Sequence, residues 1–164
     1  MSSNEQSARE PLALDKLDYA IVKQLSHDPE LTNRALAERL QVAESTCAYR
    51  RRRLRETGVL GRSQIDLDYA RLGYGLQAVI TVYINSHSRE IVESFLSAMV
   101  EAPHVVNVTH LTGRSDFMVT VAVQDARALQ HFILDYVTVH RAVRGTETQI
   151  IFDSRRGTWI PEHA

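Results

Sequence analysis

AESTCAYRRRRLRETGVL, residues 43–60, sets four consecutive arginines, Arg50 to Arg53, and a fifth at Arg55 in a stretch closed by Gly58. At about 100° per residue, four consecutive helical residues span about 300° of the circumference, so the four cannot all meet one surface. With Cys47 as origin, Leu54 falls close beside it and Ala43 slightly further round. These small or apolar residues define a buried side, with Arg50 and Arg51 at its two edges. The opposite side carries Ser45, Tyr49, Arg52 and Glu56, flanked by Thr46 and Arg53. Hydroxyls and an aromatic ring at the N-terminal end, followed by guanidinium groups, suit a helix that enters the major groove of DNA. There the first turns meet base edges and flanking cations neutralise phosphates. Most charge runs are solvated faces; what raises this one above them is its context.

That context is a helix-turn-helix pattern. Leu14, Leu17, Ile21 and Leu25 recur at helical spacing, with Asp15 placed to cap the helix. HDPE (27–30) breaks the pattern, Thr32 can cap the short helix NRALAERL, and QVAE separates it from the arginine-rich segment. Gly58 then supplies a C-terminal stop. Residues 32–62 hold eight basic and three acidic side chains, +5, whereas the remaining 11 basic and 17 acidic residues sum to −6. A locally basic segment on an otherwise acidic chain points to one surface for an anionic partner. Arg51 is expected to lie along the core edge and to pair with Glu38, and Cys47 to be a buried filler.

Downstream of about residue 65 the periodicity changes. AVITVYIN (78–85) and FMVTVAV (117–123) alternate as strands, and HVVNVTHL (104–111) and TETQIIF (146–152) do so less strongly. REIVESFLSAMVEA and DARALQHFILDYV carry helical spacing, the latter with Leu129, Phe132, Ile133 and Tyr136 on one face. The order β-α-β-β-α-β is the split arrangement of ferredoxin-like domains, so the fold class is α+β. In 78–85 apolar residues lie on both faces: Ala78, Ile80, Val82 and Ile84 on one, Val79 and Tyr83 on the other. Two helices cover one face of a four-stranded sheet, so the second is expected to pack on the sheet of an identical chain, giving a homodimer. The domain plan is a disordered tail over 1–11, the helix-turn-helix over 12–63, a linker over 64–77 and the second domain over 78–164.

At 164 residues with 44% hydrophobic and 24% charged side chains, the chain reads as a globular protein. No apolar run approaches the roughly 18 residues of a membrane span. The polar N-terminus and the single cysteine point to the cytoplasm. The histidines show no metal-ligand spacing, GYG (73–75) is a fragment of no nucleotide fingerprint, and no cofactor is expected.

Several of these stretches together resemble the Lrp/AsnC, or feast/famine, regulators. LDKLDYAIVKQL is similar to the opening pattern LDxxDxxILxxL. VAESTCAYRRRRLRETGVL resembles LSxxxCxxRVRRLExxGxI, matching at Cys47, Arg50, Arg52, Arg53, Leu54 and Gly58. HLTGRSDFMVTV and VRGTETQIIF resemble the family's ligand-domain hairpin and closing strand. The resemblance implies a DNA-binding regulator that dimerises, often assembling into octamers, and senses an amino acid or related metabolite. DNA contacts are then expected from Ser45, Thr46, Tyr49, Arg50, Arg52 and Arg53. Effector contacts are expected from the hairpin Gly113, Arg114, Ser115 and Asp116, where carboxylate, guanidinium, hydroxyl and backbone amides could meet a zwitterion. Gly and Asp are also ordinary turn residues. Thr138 and His140 are secondary candidates. Three departures stand out: Ala43 replaces an N-cap serine, Arg51 replaces a buried valine, and VHRAV lacks a Pro-Gly pair. Two alternatives share the architecture: a sirohaem decarboxylase-like enzyme, which the basic segment disfavours, and a metabolite-binding module without DNA binding.

Overall fold

A computed structural model of the chain describes residues 12–61, 65–157 and 159–161. The tail expected over 1–11 and the domain boundary expected at 63–64 lie outside the described residues. The chain forms two compact units, one containing the N-terminal helices and the other spanning Asp66–Arg156.

In the first unit α1 (Lys16–His27), α2 (Asn33–Leu40) and α3 (Glu44–Glu56) follow one another closely. Asp15 opens α1 through a capping box: its carboxylate accepts the Asp18 amide at 2.9 Å, and the Asp18 carboxylate accepts the Asp15 amide at 3.2 Å. Thr32 caps α2 through the Ala35 amide, and Gln41, in the left-handed region at φ 54°, ends it. Ala43 opens α3 with no side-chain cap, and Gly58 at φ 76° lies just beyond its end. Ile21, Leu25, Leu31, Leu36, Ala37, Cys47 and Leu54 form the core of this unit. Cys47 is fully enclosed, and burial raises its thiol pKa.

The second unit is a four-stranded antiparallel sheet ordered β2-β3-β1-β4, formed by β1 (Leu76–Ile84), β2 (Val105–His110), β3 (Phe117–Val123) and β4 (Val143–Ile150). Helix α4 (Arg89–Glu101) links β1 to β2, and α5 (Ala126–Phe132) follows β3. In register, Ile80 faces Val119 on one side and Thr148 on the other. Ala78, Ile80, Val82 and Ile84 point to the face that Phe95, Met99, Leu129 and Phe132 cover. Val79, Thr81 and Tyr83 alternate onto the opposite face and stay half-buried.

Three boundaries differ from the sequence reading. Strand β1 begins at Leu76, inside the expected linker. Strand β4 begins at Val143 and ends before Phe152, which is fully exposed. The second helical pattern is α5 followed by a π-helical turn, Ile133–Val137. The turn rotates the chain so that Val137, not Tyr136, enters the core.

Candidate DNA interface and effector site

The stripe Ser45, Tyr49, Arg52 and Glu56 is exposed along α3, with Tyr49 at 56% and the Arg52 side chain at 70%. Among the described residues, the ion pair of Arg52 is a loose, solvent-facing contact to Glu56 at 3.7 Å. A pair of that kind contributes little and gives way easily to a phosphate or a base. Thr46 lies half-buried beside the stripe.

Arg53 is corrected from the outward flank. Its guanidinium turns to α1 and donates to Asp18 Oδ2 at 2.9 Å, leaving the side chain 33% exposed. Arg50 is likewise drawn in, donating to Asp15 Oδ2 at 2.7 Å and to both Asp18 oxygens at 3.2 Å. The Asp15 pKa is lowered, chiefly by the Asp18 amide and also by Arg50, and the Arg50 pKa is raised by Asp15 and Asp18. The buried arc of α3 is thus wider on the α1 side than its apolar residues suggest. Asp18 carries the signal: it stands four after Leu14 and three before Ile21, on the apolar stripe itself.

Arg51 is also corrected in its partner. Glu38 pairs with Arg34 at 3.1 Å, and Arg51 reaches the turn between α1 and α2 instead. Its guanidinium donates to the Leu31 carbonyl at 2.6 Å, the Asn33 side chain at 3.4 Å and the Pro29 carbonyl at 3.4 Å. Burial, with Arg55 nearby, lowers its pKa. Its buried Nε proton meets no acceptor among the described residues, a deficit of about 1–3 kcal/mol. That deficit offsets much of what the carbonyl contacts contribute. Arg51→Val should therefore stay within about 1 kcal/mol of the parent in urea denaturation, whereas Arg51→Ala, which also strips the packed stem, should lose about 2 kcal/mol. A valine variant as weak as the alanine variant would show that the carbonyl contacts dominate.

In the second unit the hairpin residues part company. Gly113 sits at φ 117°, a conformation that favours glycine. Arg114 is exposed and Ser115 half-buried, so both can be approached from solvent. Asp116 is buried and already engaged: Oδ2 accepts the Ile84 amide at 2.7 Å and Oδ1 lies 2.6 Å from His87 Nε2. Burial opposes its ionisation, yet the Ile84 amide, His87 and Arg144 outweigh that and lower its pKa. The carboxylate thus ties the hairpin to the end of β1.

His140 Nε2 lies 3.4 Å from the Ser94 hydroxyl, and its ring meets Phe95 edge-on at 5.3 Å. Phe95 packs on Phe117, which stacks with His110, so a row of rings runs from the loop after the π turn to the base of the hairpin. Beside His140 lies a groove of about 520 Å³ bounded by Ser94, Met99, Asp135, Tyr136 and Arg141. The side chains of Asp135 and Arg141 make no ion pair among the described residues. Thr138, the other secondary candidate, is exposed and donates its hydroxyl to the Leu134 carbonyl. Among the described residues, no group of His, Cys, Asp or Glu is placed to hold a metal ion.

Residues 77–158 match the Lrp/AsnC ligand binding domain, and residues 14–60 match a winged helix-turn-helix DNA-binding domain. The chain belongs to the Lrp/AsnC family. It is 39% identical over 144 residues to the HTH-type transcriptional regulator AldR of Mycolicibacterium smegmatis, covering 88% of this chain and 84% of that one. AldR of Mycobacterium tuberculosis is 35% identical, with 90% of this chain and 82% of the relative covered. A transcriptional regulator of Neisseria meningitidis, solved as its L-Met complex, superposes with a TM-score of 0.81 at 29% identity, over 90% of this chain and 96% of the other. This Lrp/AsnC protein is therefore a DNA-binding transcriptional regulator with a small-molecule-sensing domain, and not an enzyme of the decarboxylase kind.

Proposed function

We propose that the protein reads double-stranded DNA with Ser45, Tyr49 and Arg52 of α3, with Thr46 beside them and Arg55 on the adjoining exposed flank. The observation that carries this reading is the exposed stripe, in which hydroxyl, phenol and guanidinium are presented together on one helix face. A guanidinium bidentate to guanine is worth about 1–3 kcal/mol. Arg52→Ala should thus weaken binding to a selected duplex about 10- to 100-fold by fluorescence anisotropy, while Glu56→Ala should not weaken it. Parent affinity should fall steeply with salt as counterions are released. Parent protein without salt-dependent affinity would favour the module that senses a metabolite and does not bind DNA.

A homodimer fits the same reading. Val79, Thr81 and Tyr83, flanked by Met118 and Glu147 of the paired strands, form a sheet face opposite to the one the helices cover. A second copy seated there would place two recognition helices for a two-fold symmetric site. A higher assembly such as an octamer is a further step that sedimentation would reveal. A DNA partner also implies a cytoplasmic site of action, and among the described residues no helix is long and apolar enough to cross a membrane.

The effector, on this reading, is an α-amino acid. The groove beside His140 offers an apolar floor with the opposite charges of Asp135 and Arg141 at its margin, and the row of rings links it to the hairpin that carries Gly113, Arg114 and Ser115. A thermal-shift screen with the amino acids should give a rise for at least one, since a ligand of the native state stabilises by mass action. Loss of that rise in Arg141→Ala locates the effector in the groove, and loss in Arg114→Ala locates it at the hairpin. A flat screen on the parent protein counts against an amino-acid effector.

A further inference from the structure

Asp18 is a carboxylate with no exposed surface, on the face of α1 that packs against the recognition helix. It receives Arg50 at 3.2 Å on both oxygens and Arg53 at 2.9 Å, and the same Arg50 nitrogen also donates to Asp15 at 2.7 Å. Two cations meet two anions, so the cluster is neutral. The +5 of residues 32–62 falls to +3 once Asp15 and Asp18, which lie outside that segment, are counted. Of the four consecutive arginines, Arg51 is spent on backbone carbonyls, and Arg50 and Arg53 show 24% and 33% of their side chains. Arg52 alone of the four is freely presented.

Phosphate contacts raise affinity for every sequence, and only base contacts discriminate. A regulator gains discrimination by limiting the first without losing the second. Arg50 and Arg53 sit one turn apart on α3, so anchoring both to one buried carboxylate also fixes the rotation of the helix about its axis. We propose that Asp18 is a specificity-determining positioning residue: it withholds Arg50 and Arg53 from the DNA backbone and holds α3 so that Ser45, Tyr49 and Arg52 face the bases. This rests on α3 being the DNA-reading helix. An isolated buried charge is costly, and here the two guanidiniums and the Asp15 amide compensate it. Asparagine keeps the shape and an acceptor but releases the ionic hold.

The experiment compares parent and Asp18→Asn full-length protein on a mixed-sequence 30-base-pair duplex across a salt series, together with selection from a randomised duplex pool. Freed arginines should tighten mixed-sequence binding about threefold or more at low salt. They should also steepen the slope of log affinity against log salt by up to about two, at roughly 0.9 per phosphate neutralised. The pool selected by the variant should be less well defined than that of the parent. Adding Arg53→Gln to Asp18→Asn should return about half of the extra slope. A purely structural role predicts the reverse, weaker binding with an unchanged or shallower slope, and that outcome overturns the proposal. Should Asp18→Asn fail to fold by circular dichroism, Arg53→Gln in the otherwise parent chain decides, since Asp18 there keeps Arg50 as its partner. An arginine withheld from the backbone contributes no phosphate contact, so the slope should match the parent, and a slope shallower by about one rejects the idea. Parent protein without salt-dependent binding would instead remove the DNA-reading role of α3, and this proposal with it.

Discussion

Phe95→Ala is expected to destabilise the sensor domain by about 3–5 kcal/mol, read as a lower urea midpoint with an unchanged slope. Phe95 has no exposed surface and fills the middle of the layer between α4 and the sheet. Its ring packs at 4.5 Å on Phe117 and at 5.3 Å against the edge of His140. Ile80 and Val82 of β1 and Val119 of β3 belong to the same buried cluster, and the sheet holds them in register, which limits how far the core can collapse into the void. The cost should therefore lie high in the range for aromatic deletions. Total stability of a domain is only about 5–15 kcal/mol, so the variant would come close to unfolding at physiological temperature. Leu96→Ala, one residue on and half-buried, should cost much less. Equal losses at 95 and 96 would mean that the core is not centred on the aromatic row. Because that row joins the groove to the hairpin, a Phe95→Leu variant that folds should also weaken any effector response.

The expected α+β architecture rests on alternation, and alternation is clearest where both neighbours are strands. β3 is flanked by β1 and β2, and its ends coincide with the expected 117–123. Strand β4 lies at the edge, and VRGTETQI has few apolar residues to alternate, so its start at Val143 left no mark in the hydrophobic pattern. The π-helical turn was hidden for a different reason. Ile133 and Tyr136 continue the α-helical spacing of Leu129 and Phe132, and a single widened turn shifts the register without changing composition. In the first unit the stripe Ser45, Tyr49, Arg52, Glu56 follows from helical angles with Cys47 and Leu54 on the buried side. Arg53 departed from its angular assignment because hydrophobicity is not the only determinant of what turns inward. A buried carboxylate on a neighbouring helix exerts a directed pull that apolar periodicity cannot register. Asp116 shows the same effect at the hairpin: a residue typical of an exposed turn is buried because an amide and an imidazole converge on it.

Asp116→Ala is expected to cost about 2–3 kcal/mol at neutral pH, the penalty of leaving the buried Ile84 amide without its acceptor and removing a charged partner of His87. Cavity formation is a lesser part, since the side chain is small. Asp116→Asn separates geometry from charge, because it can still accept from Ile84 but cannot hold His87 by charge. The pH dependence has a definite sign. The folded pKa of Asp116 lies below its ordinary value, so its contribution is complete above the unfolded carboxyl value of about 3.9 and is lost as pH falls through the lower folded value. The gap between parent and Asp116→Asn in urea denaturation should be constant from pH 6 to about 5 and then close towards pH 3. Were the gap to persist undiminished at pH 3, the carboxylate charge would not be what ties the hairpin to β1. Arg144 also lowers the Asp116 pKa, and its Nε donates to the Ile84 carbonyl at 3.1 Å. The end of β1 is thereby gripped from both sides, through its amide by Asp116 and through its carbonyl by Arg144. The hairpin that Asp116 closes is thereby tied to β1 at a residue whose amide and carbonyl are both engaged, which is why the charge on one turn carboxylate bears on the stability of the strand end.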